Sequence, residues 1–358
     1  RILFMGTPDI AAESLAALLD AGHEVCGVFT RRDKPVGRKQ ILTAPPVKQL
    51  AVEHGLSVYQ PRTLRDGSSD ELIKELAPDI IVVVAYGCII PPQLLHAAKY
   101  GCINLHVSLL PKYRGSAPIQ WAVLNGDEGT GVTIMQLDEG LDTGDVLVCE
   151  KIAIGPEETS GELFDRVTAV GARVLCEAVP AMEAGTLKPQ PQQHENATLA
   201  PMLDKELAEF RLTDTAAHIH NWVRGMNPWP MAWFVTAGGK KVKVMECRAV
   251  ASQGEAPGTV LATKPLTVAC ADGGIQLLIA DRALFAGAQH AVEQFLAVEH
   301  FTRTVFFDDH QGHSFHDLIG GKAFFAGKAL AAAADLFAVL RGARINYLGF
   351  IGTASGNA

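Results

Sequence analysis

The sequence predicts an α/β protein with a Rossmann-like, doubly wound and mostly parallel sheet, a smaller C-terminal β-barrel of OB-like type and an unassigned tail. Apolar runs alternate with helical patterns through the first half of the chain, which is typical of βαβ units. Residues 80–86 are apolar on both faces, as in a central strand of a parallel sheet. Short alternating runs separated by turn residues begin at residue 241 and indicate the barrel.

The elements of the first half follow one another in regular order. The predicted strands are 1–5, 23–30, 56–60 and 80–86, and the predicted helices are 10–21, 46–54, 70–76 and 160–184. The apolar runs 102–107 and 132–137 are expected to be further strands. Residues Ser160-Gly161-Glu162 are predicted to cap the long helix at its N-terminus.

A change of composition separates two domains. Lys188 to Pro201 contains three prolines and three glutamines with little hydrophobic pattern, so it predicts a linker. The expected division is a first domain at 1–187, a linker at 188–203, a β-barrel domain at 204–299 and an unassigned tail at 300–358. Within the barrel domain we expect a helix near 216–224 and strands at 241–245, 258–261, 266–270 and 274–279.

Composition excludes several classes of protein. A chain of 358 residues with 48% hydrophobic residues and mean hydropathy of +0.15 is globular, and it has no apolar run of the roughly 20 residues that span a bilayer. The seven cysteines form no CxxC pair, which favours reduced thiols in the cytoplasm over a zinc site or a disulfide framework. A net charge of −8 argues against coating of nucleic acid, but it permits a local basic patch.

Two short motifs suggest acyl-transfer chemistry. At a spacing of two in a strand, Asn104, His106 and Ser108 point to the same face. A turn from Asp138 to Asp145 follows the next apolar run, and its Asp142 is the carboxylate expected to orient the imidazole. Alone, the Asn-x-His pair is also compatible with a satisfied polar pair in a core. Together, the motifs supply an amide donor, a proton carrier and a carboxylate.

Residues 31–48 are strongly basic, with a single acidic residue at Asp33. A solvated loop is the ordinary interpretation, and a flexible finger that contacts phosphates is the functional one. The candidate phosphate-binding residues are Arg31, Arg32, Lys34, Arg38, Lys39 and Lys48.

Neither a dinucleotide nor a metal is expected. Gly6 stands without the further glycines of a dinucleotide fingerprint. His310, His313 and His316, with acidic residues upstream, have a spacing unlike known zinc patterns.

Residues 1 to about 278 resemble the 10-formyltetrahydrofolate-dependent formyltransferase family. The Asn-x-His and Asp-Thr-Gly pieces are typical of the family as a whole, and the opening Gly-Thr-Pro-Asp, the basic loop and Asn-Pro-Trp-Pro are typical of its tRNA-modifying members. The matching segments are 6–9, 33–38, 46–48, 84–87, 104–115, 117–120, 131–135, 138–145 and 227–230. Residues 300–358 match nothing in the family.

The resemblance implies a catalytic trio of Asn104, His106 and Asp142. It implies that the formyl donor and co-substrate is 10-formyltetrahydrofolate, that no metal is used, and that the formyl group passes through a tetrahedral intermediate to the amino group of initiator methionyl-tRNA. The folate-binding residues would be Tyr86, Gly87, Ile89, Ile90, Ser108, Leu109, Leu110, Pro111, Asp138 and Gly140.

By the same resemblance, the basic loop would contact the acceptor arm of the tRNA, and the C-terminal barrel would hold the rest of that arm. From the residues themselves we expect a cytoplasmic monomer that contacts no membrane. Two alternatives stay open: a formyltransferase acting on a nucleotide-linked amino sugar, and a folate-binding protein that has lost catalysis.

Overall fold

A computed structural model describes residues 1–37, 39–236 and 239–280. In chain order, its strands are β1 (Ile2–Gly6), β2 (Val25–Phe29), β3 (Lys34–Val36), β4 (Ile41–Thr43), β5 (Val58–Tyr59), β6 (Ile80–Val84), β7 (Cys102–His106), β8 (Arg114–Gly115), β9 (Gly129–Gln136), β10 (Val146–Ala153), β11 (Leu199–Ala200), β12 (Trp233–Val235), β13 (Lys241–Val250), β14 (Val260–Thr263), β15 (Leu266–Ala269) and β16 (Gly274–Ala280). Its helices are α1 (Asp9–Asp20), α2 (Pro46–Glu53), α3 (Asp70–Leu76), α4 (Pro92–Leu95), α5 (Pro118–Leu124), α6 (Ser160–Glu183) and α7 (Ala216–Gly225), with a 3₁₀ turn at His194–Asn196. Among these helices, none is long and apolar enough to cross a membrane.

The main sheet has seven strands in the order β10-β9-β7-β6-β1-β2-β5. Strands β7, β6, β1, β2 and β5 are parallel, and β9 and β10 are antiparallel to their neighbours. Because β1 lies between β2 and β6, the chain reverses its direction of winding there. The carboxyl ends of β1 and β6 therefore form a switch point, the place where open α/β sheets bind ligands.

Helices cover both faces of this sheet. On β6, Ile81 and Val83 belong to one apolar cluster, while Ile80, Val82 and Val84 belong to the opposite one. Helices α1 and α6 bury their apolar residues on the face of Ile80, Val82 and Val84. Helices α3 and α4 bury theirs on the face of Ile81 and Val83. This two-sided burial is what the continuous apolar run of β6 predicts.

Helix α6 packs closely behind β7. A Cβ added at Gly171 would lie 3.0 Å from Leu105 Cδ2, so glycine permits the close approach. The helix begins with a capping box in which the Thr159 hydroxyl accepts from the Glu162 N–H and the Glu162 carboxylate accepts from the Thr159 N–H. Of the predicted capping segment 160–162, Glu162 belongs to this capping box, whereas the Ser160 hydroxyl donates instead to the carbonyls of Gly225 and Asn227.

The C-terminal part contains a separate antiparallel sheet in the order β12-β13-β16-β15-β14, with α7 packed on it. Helix α7 is capped by the Thr215 hydroxyl, which accepts from the His218 N–H. The predicted fold class, a mostly parallel doubly wound sheet with a smaller β domain after it, is confirmed. Closure of the second sheet into a barrel stays a prediction.

The predicted elements agree with the structure to within a few residues, except that β13 continues to Val250 instead of ending at 245. Other elements have no counterpart in the sequence prediction: strands β3, β4, β8, β10, β11 and β12 and helices α4 and α5. The domain boundaries at 187, 203 and 299 stay predictions. The expected tail at 300–358 and the histidines at 310, 313 and 316 lie outside the described residues.

Candidate active site

Strand β7 presents Asn104 and His106 on one face at the carboxyl end of the sheet. Its alternate residues, Ile103 and Leu105, point into the apolar cluster beneath α6. His106 is only 6% exposed. Asn104 is half-buried. The alternation predicted from the sequence is therefore present.

Ser108 shapes the turn after β7. Its side chain is fully buried, its hydroxyl donates to the Lys112 carbonyl at 2.6 Å, and its own carbonyl accepts from the Thr133 hydroxyl at 2.6 Å. These bonds hold the turn through Leu109 and Leu110 to Pro111 in place. The Ser108 hydroxyl is thus engaged within the protein and does not extend the Asn104–His106 row.

The hydrogen bonds of His106 determine where its ring can exchange a proton. Nε2 lies 2.9 Å from the carbonyl oxygen of Tyr113, and because a carbonyl can only accept, Nε2 carries hydrogen. Nδ1 then holds the available lone pair, 3.8 Å from Asp142 Oδ2. This distance is longer than a hydrogen bond, and it places the carboxylate beside the ring nitrogen that holds the lone pair.

Asp142 lies in an unusual backbone conformation with φ of 51°. Its Oδ2 accepts from the Gly115 N–H at 2.8 Å, and its side chain is 16% exposed. Elsewhere in the turn, Asp138 Oδ1 accepts from the Gly140 N–H and from the Thr143 hydroxyl. The carboxylate of Asp138 is therefore used to shape the loop that carries Asp142.

Tyr113 supports the imidazole from the side opposite Asp142. Its phenol donates to Asp127 Oδ2 at 2.7 Å and accepts from Asn125 Nδ2 at 3.0 Å. Burial, with a smaller contribution from Asp127, raises the pKa of Tyr113 to about 12, although the hydrogen bond from Asn125 lowers it. The phenol therefore stays protonated at neutral pH, and its two hydrogen bonds help to fix the residue whose carbonyl orients His106.

A cleft of about 470 Å³ opens beside the turn after β7. It is lined by Leu109, Pro111, Lys112, Tyr113, Asp127, Gly129, Thr130 and Asn196. Two predicted folate-binding residues, Leu109 and Pro111, belong to this lining, whereas Leu110 does not.

Four further predicted folate-binding residues follow β6, at the switch point. Tyr86 is 2% exposed, its carbonyl accepts from the Thr7 hydroxyl at 2.8 Å, and burial raises the pKa of its phenol. Gly87 has φ of 75°. Ile89 is exposed, and Ile90 is half-buried against the apolar cluster.

The predicted phosphate-binding residues have different environments. Lys34 and Lys39 are exposed in and beside a hairpin formed by β3 and β4. Lys48, in contrast, binds both carboxylate oxygens of Asp33 at 2.8 Å. Arg31 donates to Cys88 Sγ and Arg32 to the Gln60 carbonyl, while Arg38 lies outside the described residues.

The structure adds residues that the sequence interpretation missed. Segment 190–200, predicted as a linker, contains β11, which pairs with β8 beside the site. Its Gln192 is buried and donates to the carbonyl oxygens of Asp142 and Gly144. A buried glutamine in a proline-rich stretch has no local pattern that distinguishes it from a solvated one.

The described residues contain no group of three His, Cys, Asp or Glu side chains that could hold a metal ion.

Comparison with known proteins identifies the class. Residues 1–179 match the formyl transferase family, and residues 202–296 match the formyl transferase C-terminal domain. The chain belongs to the formyl transferase family. Its curated relatives include methionyl-tRNA formyltransferases. The one from Myxococcus xanthus is 48% identical over 78% of this chain and 89% of its own length. The one from Desulforamulus reducens is 45% identical over 83% of this chain and 94% of its own length.

Solved structures agree on the fold. An N-formyltransferase from Helicobacter canadensis, in complex with folinic acid and dTDP-3-aminofucose, has a TM-score of 0.60 at 18% identity, over 77% of this chain and 98% of that one. HypX from Aquifex aeolicus, in complex with tetrahydrofolic acid, has a TM-score of 0.54 at 20% identity, over 78% of this chain and 44% of that one. At these identities the likeness shows the fold alone.

Proposed function

We propose that this chain is an enzyme of translation initiation that transfers the formyl group of 10-formyltetrahydrofolate to the amino group of methionyl-tRNA. The observation that carries the proposal is the approach of Asp142 to His106 Nδ1, beside Asn104, at the carboxyl end of the sheet. The relatives named methionyl-tRNA formyltransferase, at 45–48% identity over most of their length, support this substrate.

The residues at the switch point fit a folate. The Tyr86 hydroxyl is buried and has no hydrogen-bond partner among the described residues. Ile89 and Ile90 offer apolar surface to a flat ring. The co-substrate supplies the activated formyl group, and the chain supplies orientation and proton transfer.

Asn104 and His106 have complementary roles in the proposed reaction. The Asn104 amide donates to the formyl oxygen as negative charge develops there, a contribution typically worth about 10²–10³ in rate. His106 Nδ1 takes the proton that the attacking amino group loses, and returns it to the folate nitrogen as the bond between that nitrogen and the formyl carbon breaks. Asp142 stabilises the resulting imidazolium, while the Tyr113 carbonyl holds the ring through Nε2–H.

The acceptor arm of the tRNA is the proposed partner of the exposed basic hairpin. Lys34 and Lys39 are exposed there, which favours contact with phosphates, whereas Lys48 is neutralised by Asp33. The three catalytic side chains come from one chain, so a monomer is sufficient. We place the reaction in the cytoplasm, where charged initiator tRNA is used.

A direct assay tests the substrate. The purified chain is incubated with 10-formyltetrahydrofolate and either methionyl-tRNA or a dTDP-linked amino sugar, and formylated products are quantified by mass spectrometry. We expect formylmethionyl-tRNA from the wild type and none above background from His106→Ala. Formylation of the amino sugar alone would identify a sugar N-formyltransferase. Folate binding without transfer to either acceptor would indicate a protein that has lost catalysis.

A pair of lysine variants tests the tRNA contact. Lys39→Ala should raise the KM for methionyl-tRNA several-fold, with a shallower dependence on salt, because one phosphate contact is lost. Lys48→Ala, the matched control, should leave that salt dependence unchanged and affect mainly the local fold around Asp33. Equal effects of both variants on the salt dependence would contradict the assignment.

A further inference from the structure

Segment 190–200 connects the two loops that carry the catalytic pair. At one end, Gln190 forms reciprocal backbone hydrogen bonds with Val146, directly after the Asp142 loop. At the other end, β11 pairs with β8, and the Thr198 hydroxyl accepts from the N–H of Tyr113, whose carbonyl holds His106. A segment between the two regions matched by the family is therefore in contact with both halves of the site.

Within this segment, the amide of Gln192 uses its full hydrogen-bonding capacity. Nε2 donates to the Asp142 carbonyl at 2.9 Å and to the Gly144 carbonyl at 2.7 Å. Oε1 accepts from Arg114 Nε at 3.1 Å and from Arg114 Nη2 at 2.6 Å. Carbonyls can only accept and a guanidinium can only donate, so only one orientation of the amide satisfies all four bonds.

Arg114 continues the connection to the carboxylate of Asp142. Both Arg114 and Gln192 are buried, at 8% and 7% exposure, and Arg114 Nη2 also lies 2.9 Å from His194 Nδ1. The residue after Arg114 is Gly115, whose N–H donates to Asp142 Oδ2. Gln192 thus contacts the backbone of Asp142 directly. Through Arg114 it also contacts strand β8, whose Gly115 N–H binds the side chain of Asp142.

We propose that Gln192 is a positioning residue, one that holds Asp142 at the distance from His106 that proton transfer requires. This inference rests on the proposed function. Asp142 has a left-handed backbone that persists only where surrounding contacts hold it. Loss of the two bonds from Gln192 Nε2 frees the carbonyls of Asp142 and Gly144, and the loop can then relax away from the imidazole.

The sharpest variant is Gln192→Glu. A glutamate keeps the acceptor toward Arg114, but it places an oxygen in front of the two carbonyls that need donors. We expect kcat to fall about 10- to 100-fold, because small misplacement of a catalytic group has effects of this size. The KM for methionyl-tRNA should change little, since Gln192 lies against Asp142 and not on the basic hairpin. Gln193→Glu is the matched control, since that side chain is exposed and its Oε1 needs only to accept from Asn196.

A double-mutant comparison separates positioning from a general loss of fold. In an Asp142→Asn background, Gln192→Glu should reduce kcat by far less than in the wild type, because the group it positions is already impaired. Gln192→Met, which has no charge, should behave like Gln192→Glu in both backgrounds. It serves as the test if the glutamate variant shows no cooperative thermal unfolding.

Hydrogen exchange supplies a readout that does not require activity. Amide exchange in residues 138–145, followed by mass spectrometry, should be faster in Gln192→Glu than in Gln193→Glu. Equal kcat in these two variants, or an equal loss from Gln192→Glu in both Asp142 backgrounds, would overturn the inference. Faster exchange in a protein whose wild type does not formylate methionyl-tRNA would instead refute the proposed function and leave the positioning of Asp142 supported.

Discussion

The end of β7 and the Asp142 loop supply the two halves of the proposed catalytic pair, but they are held in different ways. Asn104 and His106 belong to a strand whose neighbours, β6 and β9, fix its register on both sides. Asp142 lies in a turn, with φ of 51°, and is held by hydrogen bonds from Gly115 and Gln192. The first half depends on sheet pairing, and the second on individual contacts from distant segments.

This difference predicts how each half responds to change. A strand buried on both sides tolerates the loss of one side chain, because its backbone is fixed by many cooperative bonds. A turn held by a few hydrogen bonds moves when one of them is lost. Substitutions at the end of β7 should therefore lower kcat without moving the backbone. Substitutions around Asp142 should lower kcat and also move the loop.

The largest expected effect is that of His106→Ala. Removal of the proton carrier should lower kcat about 10²–10⁴-fold, the usual contribution of general acid–base catalysis, with folate affinity largely kept. Single-turnover formylation and tetrahydrofolate titration measure the two quantities. A turnover within twofold of the wild type would exclude His106 from the chemistry.

Asp142→Asn should have the next largest effect. Asparagine tolerates the left-handed backbone and still accepts from the Gly115 N–H, so the variant removes mainly the charge. We expect kcat to fall about 10²-fold, because an imidazolium without its carboxylate is less stable. If His106→Ala and the double variant have the same kcat, the two residues act as one unit. An unchanged kcat in Asp142→Asn would contradict the proposed role of the charge.

Gly115→Ala should affect both stability and turnover. Gly115 has φ of 122°, and a Cβ there would lie 2.7 Å from the Ala200 carbonyl, so the β8–β11 pair must separate. We expect about 1–3 kcal/mol of lost stability and a roughly tenfold lower kcat as the N–H to Asp142 shifts.

Gly185→Ala is the control for that change. Its φ is 67°, but no atom lies within 4 Å of the added Cβ. This variant should lose about 1 kcal/mol of stability from the backbone conformation alone and keep its kcat. Chemical denaturation and steady-state formylation compare the pair. Equal kcat values in both variants would mean that β8 does not support Asp142.

The smallest effect on activity is expected from Thr159→Ala. Loss of the capping box of α6 should lower the free energy of unfolding by about 0.5–2 kcal/mol. The kcat should stay unchanged, because α6 supports β7 through buried packing far from its first turn. A marked decrease in kcat without a change in unfolding would show that the β7 half is as sensitive as the Asp142 half.

Much of the site could be predicted from the sequence because the signals are local. The period of two in β7 placed Asn104 and His106 on one face, and the apolar run of β6 indicated a two-sided sheet. The basic segment was also recognisable, but its charges are not equivalent, since Lys48 is paired with Asp33 and Lys39 is exposed. The charge run shows Asp33 but not which lysine pairs with it, because partners fifteen residues apart meet only in the folded chain.

The sequence by itself determined the fold class, the polar face of β7 and the residue types available for formyl transfer, because alternation and turn composition act between neighbours in the chain. Only the tertiary structure decided how Asp142 reaches His106. The bond from Gly115 to Asp142 spans 27 residues and that from Gln192 to Asp142 spans 50. Hydrogen bonds over such separations form only after the sheet has brought the segments together, so no periodicity in the sequence records them.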